Sequence, residues 1–167
     1  MKTRTAIVSL AALLATVPGV MAVKAKDPTV SGAPVFGPAQ TQFVLRCGGC
    51  HGTLGVSPPH SVPVLRGSAG WFLCTAAGRD YIARLPNVVR VPLSDEDLAE
   101  VLNFVAFELG EGSVPAGAER FTAEEVARQR TRPLGDEPLI AYRDKVVSEM
   151  VDRCDAPEQL LVYGSAD

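Results

Sequence analysis

The chemistry of this 167-residue chain is concentrated in five consecutive residues, Cys47-Gly48-Gly49-Cys50-His51. Cys-x-x-Cys-His is the pattern to which a c-type haem is attached. Two thiols three positions apart can each form a thioether with a vinyl group of one porphyrin. The next residue then offers an imidazole nitrogen to the iron. The paired glycines put no side chain between the thiols, so the backbone can lie close to the ring edge. Two other chemistries use Cys-x-x-Cys. A structural zinc takes four ligands, commonly as two close pairs, whereas the remaining cysteines, Cys74 and Cys154, stand far apart. A dithiol redox site is expected beside a strand–helix–strand pattern, and none surrounds Cys47. The pattern therefore predicts one covalently bound haem c on Cys47 and Cys50, with His51 on the iron.

The N-terminus fits export, which thioether attachment of haem requires in bacteria. Met1-Lys2-Thr3-Arg4 is basic, Ala6 to Val20 is apolar, and Val20-Met21-Ala22 suits cleavage after Ala22. Ser9, Thr16 and Pro18-Gly19 interrupt the apolar run, which is short for a membrane span. Residues 1–22 read as a signal peptide and 23–38 as a flexible leader rich in Pro, Gly, Ser and Lys. The mature chain is expected in the periplasm, off the membrane. Its formal charge moves from -3 to about -5 once Lys2 and Arg4 are removed. That balance argues against nucleic acid or an anionic membrane as partner. It is compatible with docking on a basic patch of a redox protein.

The elements that would hold the attachment stretch are all helical. Ala39 to Cys47 suits a short helix with Phe43, Val44 and Cys47 on one face. Gly52 to Gly67 reads as a loop around the haem edge, with Gly55, Ser57 and Pro58-Pro59 as breakers. Trp71 and Phe72 follow, with large apolar surfaces suited to line a cofactor pocket. A helix is expected over Ala76–Leu85, ended by Pro86, and a connector over Asn87–Pro92. The strongest pattern is Ser94 to Leu109. Ser94 caps it, Leu93 and Leu98 staple it, and Leu98, Val101, Leu102, Val105 and Leu109 make its apolar stripe. Beyond a Gly/Pro/Ala linker, Thr122 and Glu125 form a capping box for a helix to Arg130, stapled by Phe121 and Val126. Leu139–Arg153 is a last helix with Val146, Val147 and Met150 on one side. Ala156–Asp167 is a loose or docked tail.

From Ala39 to Leu109 the chain resembles a class I monohaem cytochrome c. Phe43 stands four residues before Cys47, like the aromatic of that family's N-terminal helix. Pro63-Val64-Leu65-Arg66-Gly67 resembles its Pro-x-Leu-x-Gly segment, in which the proline carbonyl accepts a hydrogen bond from the haem-ligating imidazole. Pro92-Leu93-Ser94-Asp95-Glu96-Asp97-Leu98 resembles the start of its last helix, with Phe104 as the aromatic that packs across Phe43. The resemblance implies an all-α haem domain of three to four helices over residues 39–110, extended by a two-helix segment over 111–167. One departure stands out. Class I members usually supply a Met ligand before the last helix, and Leu85 to Pro92 holds no Met, His, Cys or Lys. Met150, His60 and Cys74 remain as candidates for the second axial position, beside an iron with no second protein ligand. Cys74 has another reading, a disulfide to Cys154 worth about 4 kcal/mol by the loop-entropy argument.

These residues point first to an electron carrier between redox partner proteins, with a periplasmic dehydrogenase as a candidate donor. The haem would cycle between ferric and ferrous iron, and the protein would set its potential. A haem enzyme or a gas or peroxide sensor with an open distal site is the alternative, with His60 and Arg90 as the nearest acid–base groups. An assembly subunit docking through residues 111–167 is a third.

Overall fold

The computed structural model describes residues 35–57, 62–132, 134–135 and 138–162, and among them every regular element is a helix. The fold is all-α and cytochrome c-like, as expected. The expected signal peptide and residues 23–34 of the expected leader lie outside the described residues, as does His60. None of the described helices is long and apolar enough to cross a membrane.

The first helix, α1 (Pro38–Arg46), begins with proline at its first position. The missing N–H costs nothing there, because that donor has no intrahelical partner. A single turn, α2 (Gly48–His51), follows directly and carries the attachment stretch. After the loop comes a 3₁₀ turn, Ala69–Leu73, then α3 (Ala76–Arg84), capped by Thr75 Oγ1, which accepts from Gly78 N at 3.0 Å. Pro86 ends α3 but starts a further turn, α4 (Pro86–Val89), within the expected connector. In α5 (Asp95–Asn103) Ser94 Oγ accepts from Asp97 N at 3.1 Å. The expected single helix changes pitch at Phe104 and finishes as a π turn, Phe104–Leu109. Beyond the linker lie α6 (Ala123–Arg130), capped by Thr122, and α7 (Leu139–Cys154). A 3₁₀ turn, Glu158–Val162, follows α7.

Three apolar clusters hold these elements. Phe43 of α1 meets Phe104 with ring centroids 5.4 Å apart at 52°, joined by Val101 and Leu109. A tilted aromatic pair of this kind adds about 1 kcal/mol beyond its area burial. Leu98, Ala99 and Leu102 of α5 pack with Ala83, Phe121 and Val126. Val146, Val147 and Met150 of α7 pack with Phe72, Tyr81 and Ala156. The last two clusters tie α6 and α7 to the helices that precede them, and Val35 onward falls in one compact unit.

Polar groups reinforce the same seam. Asn103 is fully buried, donating to Phe121 O at 3.0 Å and accepting from Phe121 N at 2.7 Å. Arg79 makes a two-pronged ion pair with Glu125, at 2.6 and 2.7 Å, and lies over the Phe121 ring. Cys74 and Cys154 form a disulfide, so α7 is also fixed covalently beside the 3₁₀ turn. Gly70 has no room for a side chain, since a Cβ there would lie 2.6 Å from Ser113 Oγ and 2.7 Å from Val114 N. That approach lets Gly70 N donate to Ser113 Oγ at 3.0 Å.

Candidate haem-attachment site

The helix break at Cys47 sets the geometry of the site. Cys47 ends α1, its N–H donating to Phe43 O at 2.8 Å, and also precedes the first residue of α2. Its carbonyl then accepts from Cys50 N and His51 N at 3.1 and 3.0 Å. One turn of helix therefore carries Cys47, Cys50 and His51 together. Cys47 is half-buried against the Phe43–Phe104 cluster, and Cys50 is exposed. Both thiols are free, whereas Cys74 and Cys154 are consumed in their disulfide.

The loop returns to meet this turn. Gly52 O accepts from Gly55 N, and Gly55 O accepts from Leu65 N and Arg66 N at 2.9 and 3.0 Å. Gly55 can sit there because its φ of 72° is open to glycine and strained for other residues. The turn brings Pro63 beside His51, whose Nδ1 lies 3.1 Å from Pro63 O. A proline carbonyl can only accept, so His51 Nδ1 carries the proton and Nε2 keeps its lone pair. Burial pushes the His51 pKa down, and the bond to Pro63 opposes part of that shift. Burial, and next the neighbouring Cys50, push the Cys47 thiol up.

The expected residues separate into two groups. Cys47, Cys50, His51 and Pro63 come together. Trp71 lies half-buried on the 3₁₀ turn, packed against the cluster that contains Phe72, Tyr81 and Met150. Met150 itself is 0% exposed within that cluster, which shares no residue with the cluster around Phe43 and Cys47. The thioether expected on the iron is thus packed among apolar side chains of the C-terminal segment. Cys74 forms the disulfide with Cys154, the second of its two readings, and its thiolate is not free for iron. Arg90 is exposed at the end of α4. Among the described residues no three His, Cys, Asp or Glu side chains gather as a metal cage.

Two free thiols and a neutral imidazole whose Nδ1 is held by Pro63, all on one turn, fit the attachment chemistry of a haem c. A one-turn helix between Cys47 and His51 was missed in the sequence, because four residues carry no usable periodicity.

No family model matches the chain. Two curated relatives do. Both are cytochrome c-552 of Thermus thermophilus, the second from a particular strain of that species. Each is 30% identical over 123 residues, and the match covers 63% of this chain and 94% and 83% of the relatives' lengths. At 30% identity, with 94% and 83% of the relatives' lengths covered, the chain belongs to the c-type cytochromes, the electron-transfer haem proteins.

Proposed function

We propose that the protein carries one haem c, joined by thioethers to Cys47 and Cys50 and ligated by His51 Nε2, and passes single electrons between periplasmic redox partners. The observation that carries this reading is the 3.1 Å contact of His51 Nδ1 with Pro63 O, on the turn that presents both free thiols. That bond sets the tautomer and ring orientation and raises the basicity of the nitrogen left for the metal. The haem, when bound, supplies the one-electron chemistry, and the protein tunes its potential by ligand, burial and hydrogen bonding. Exposure of Cys50 leaves that side of the site open to a partner, so no substrate pocket is needed. Membership of an electron-transfer family supports the same role. A small, transient interface would serve it, with a periplasmic dehydrogenase as one candidate donor.

Expression in a host that matures c-type cytochromes tests the attachment. Intact-mass analysis should show the mature chain plus one haem, retained under denaturing conditions. Replacing both cysteines by serine should abolish that adduct. His51→Ala should keep the thioethers but change the ferric spectrum. A wild-type chain that leaves such a host without added porphyrin mass overturns the proposal.

A further inference from the structure

We infer that none of the described side chains ligates the iron opposite His51, and that the ferrous protein binds a small neutral diatomic there, carbon monoxide or nitric oxide. This rests on the attachment proposed above. Haem iron is held by imidazole, thioether, thiolate or phenolate side chains, and among the described residues the fold commits each such group beyond the attachment stretch elsewhere. The chain has two His, four Cys, three Met and three Tyr, of which His60, Met1, Met21 and Tyr163 lie outside the described residues. His51 is the first ligand. Cys74 and Cys154 are spent on each other. Tyr81 is buried and stacked on Phe72 at 5.5 Å, and Tyr142 packs on Tyr81 at 5.8 Å.

Met150 is held most firmly. It is fully buried among Phe72, Tyr81, Val146, Val147 and Ala156. Cys154 stands four residues later, on the same face of α7 one turn on. The disulfide to Cys74 therefore pins the very turn that carries the thioether. The backbone closes behind it, with Asp155 left-handed and Ala156 N donating to Met150 O. To reach a metal, Met150 would have to leave its cluster while one turn of its helix stays bonded to the 3₁₀ turn. His60 lies outside the described residues, three positions before Pro63, whose carbonyl is held by His51.

A ferrous haem held by His51 alone would supply a site for the carbon or nitrogen lone pair of a diatomic. No proton or electron leaves in that step. The test uses the haem-loaded full chain, after mass analysis has established the adduct. Absence of the adduct sinks the attachment proposal, whereas the following outcomes concern only this one. Ferric protein should give a high-spin spectrum. Dithionite-reduced protein should bind carbon monoxide saturably, with a Soret shift. Met150→Leu keeps the core volume and removes the ligand atom, and His60→Ala removes the other imidazole; both should leave the spectra and the carbon monoxide midpoint unchanged. A low-spin ferric spectrum with no shift under carbon monoxide overturns the inference. So does a spectrum that turns high-spin only in either variant, which would also identify the ligand.

Discussion

At the level of single residues, His51 and Cys47 are both set by partial burial. Burial favours neutral imidazole, so the His51 pKa falls although Pro63 O pulls the other way. Coordination at neutral pH then displaces no proton from Nε2. In haem-free protein the sign of the linkage follows. Between the lowered folded pKa and the ordinary value, the unfolded chain binds more protons, so stability rises with pH through that window and is lost as pH falls. Urea midpoints measured from about pH 5 to about pH 7 should rise more steeply for the wild-type chain than for His51→Gln. Equal slopes would mean that His51 titrates normally. Cys47 shows the opposite sense. Its thiol is held neutral by burial and then by Cys50, while Cys50 is exposed. Thiolate is the reactive species. Iodoacetamide pulses on the haem-free protein near neutral pH should therefore label Cys50 well before Cys47, as read by peptide mass mapping. Equal rates would remove the difference in environment.

Secondary-structure elements divide into those that local chemistry determines and those that only the assembled chain explains. Ser94, Thr75 and Thr122 each accept from an N–H three residues on, and the staples Leu93–Leu98 and Phe121–Val126 meet within one cluster. The caps at Ser94 and Thr122 and both staples were legible because they involve neighbours in sequence. Glu125 was read as reaching back to its cap, yet its carboxylate goes to Arg79, 46 residues away. Asn103 and Phe121 likewise find each other across the linker. Such pairings have no local signature, and neither has the change to π pitch at Phe104. Within the site, Cys47, Cys50 and His51 were readable from spacing, and Pro63 from resemblance. The destination of Met150 was not, because an amphipathic helix announces a buried face without naming what buries it. The disulfide is the strongest of the long-range ties. It closes a separation of 80 residues, for which loop entropy gives about 4 kcal/mol. Replacing Cys74 and Cys154 together by serine should lower the urea midpoint with little change in slope, and limited proteolysis should begin to cut near α7. An unchanged midpoint would show that packing alone fixes the last helix.

For the whole molecule, the question is whether residues 111–167 decorate a self-sufficient haem domain or complete it. The buried surfaces favour completion. Phe121 and Val126 cover Leu98, Ala99 and Leu102, while Val146, Val147 and Met150 cover Phe72 and Tyr81. Burying one such side chain is worth about 1.5–3 kcal/mol, and a domain of this size is stable by only about 5–15 kcal/mol. Removing five large contributors at once, together with the bonds to Asn103 and Arg79, is comparable with that whole margin. The cluster of Phe43, Val101, Phe104 and Leu109 would survive the cut in principle, because none of its members lies beyond residue 109. It is nevertheless only one of three, and it rests on α5, whose opposite face would be stripped. A chain ending at Gly110 should therefore show no cooperative thermal transition by circular dichroism and should retain little haem in a maturing host. The full chain should unfold in one step. If the shortened chain unfolds cooperatively and carries haem, the C-terminal helices are an attachment to a finished domain, and their role must be sought on their outer faces.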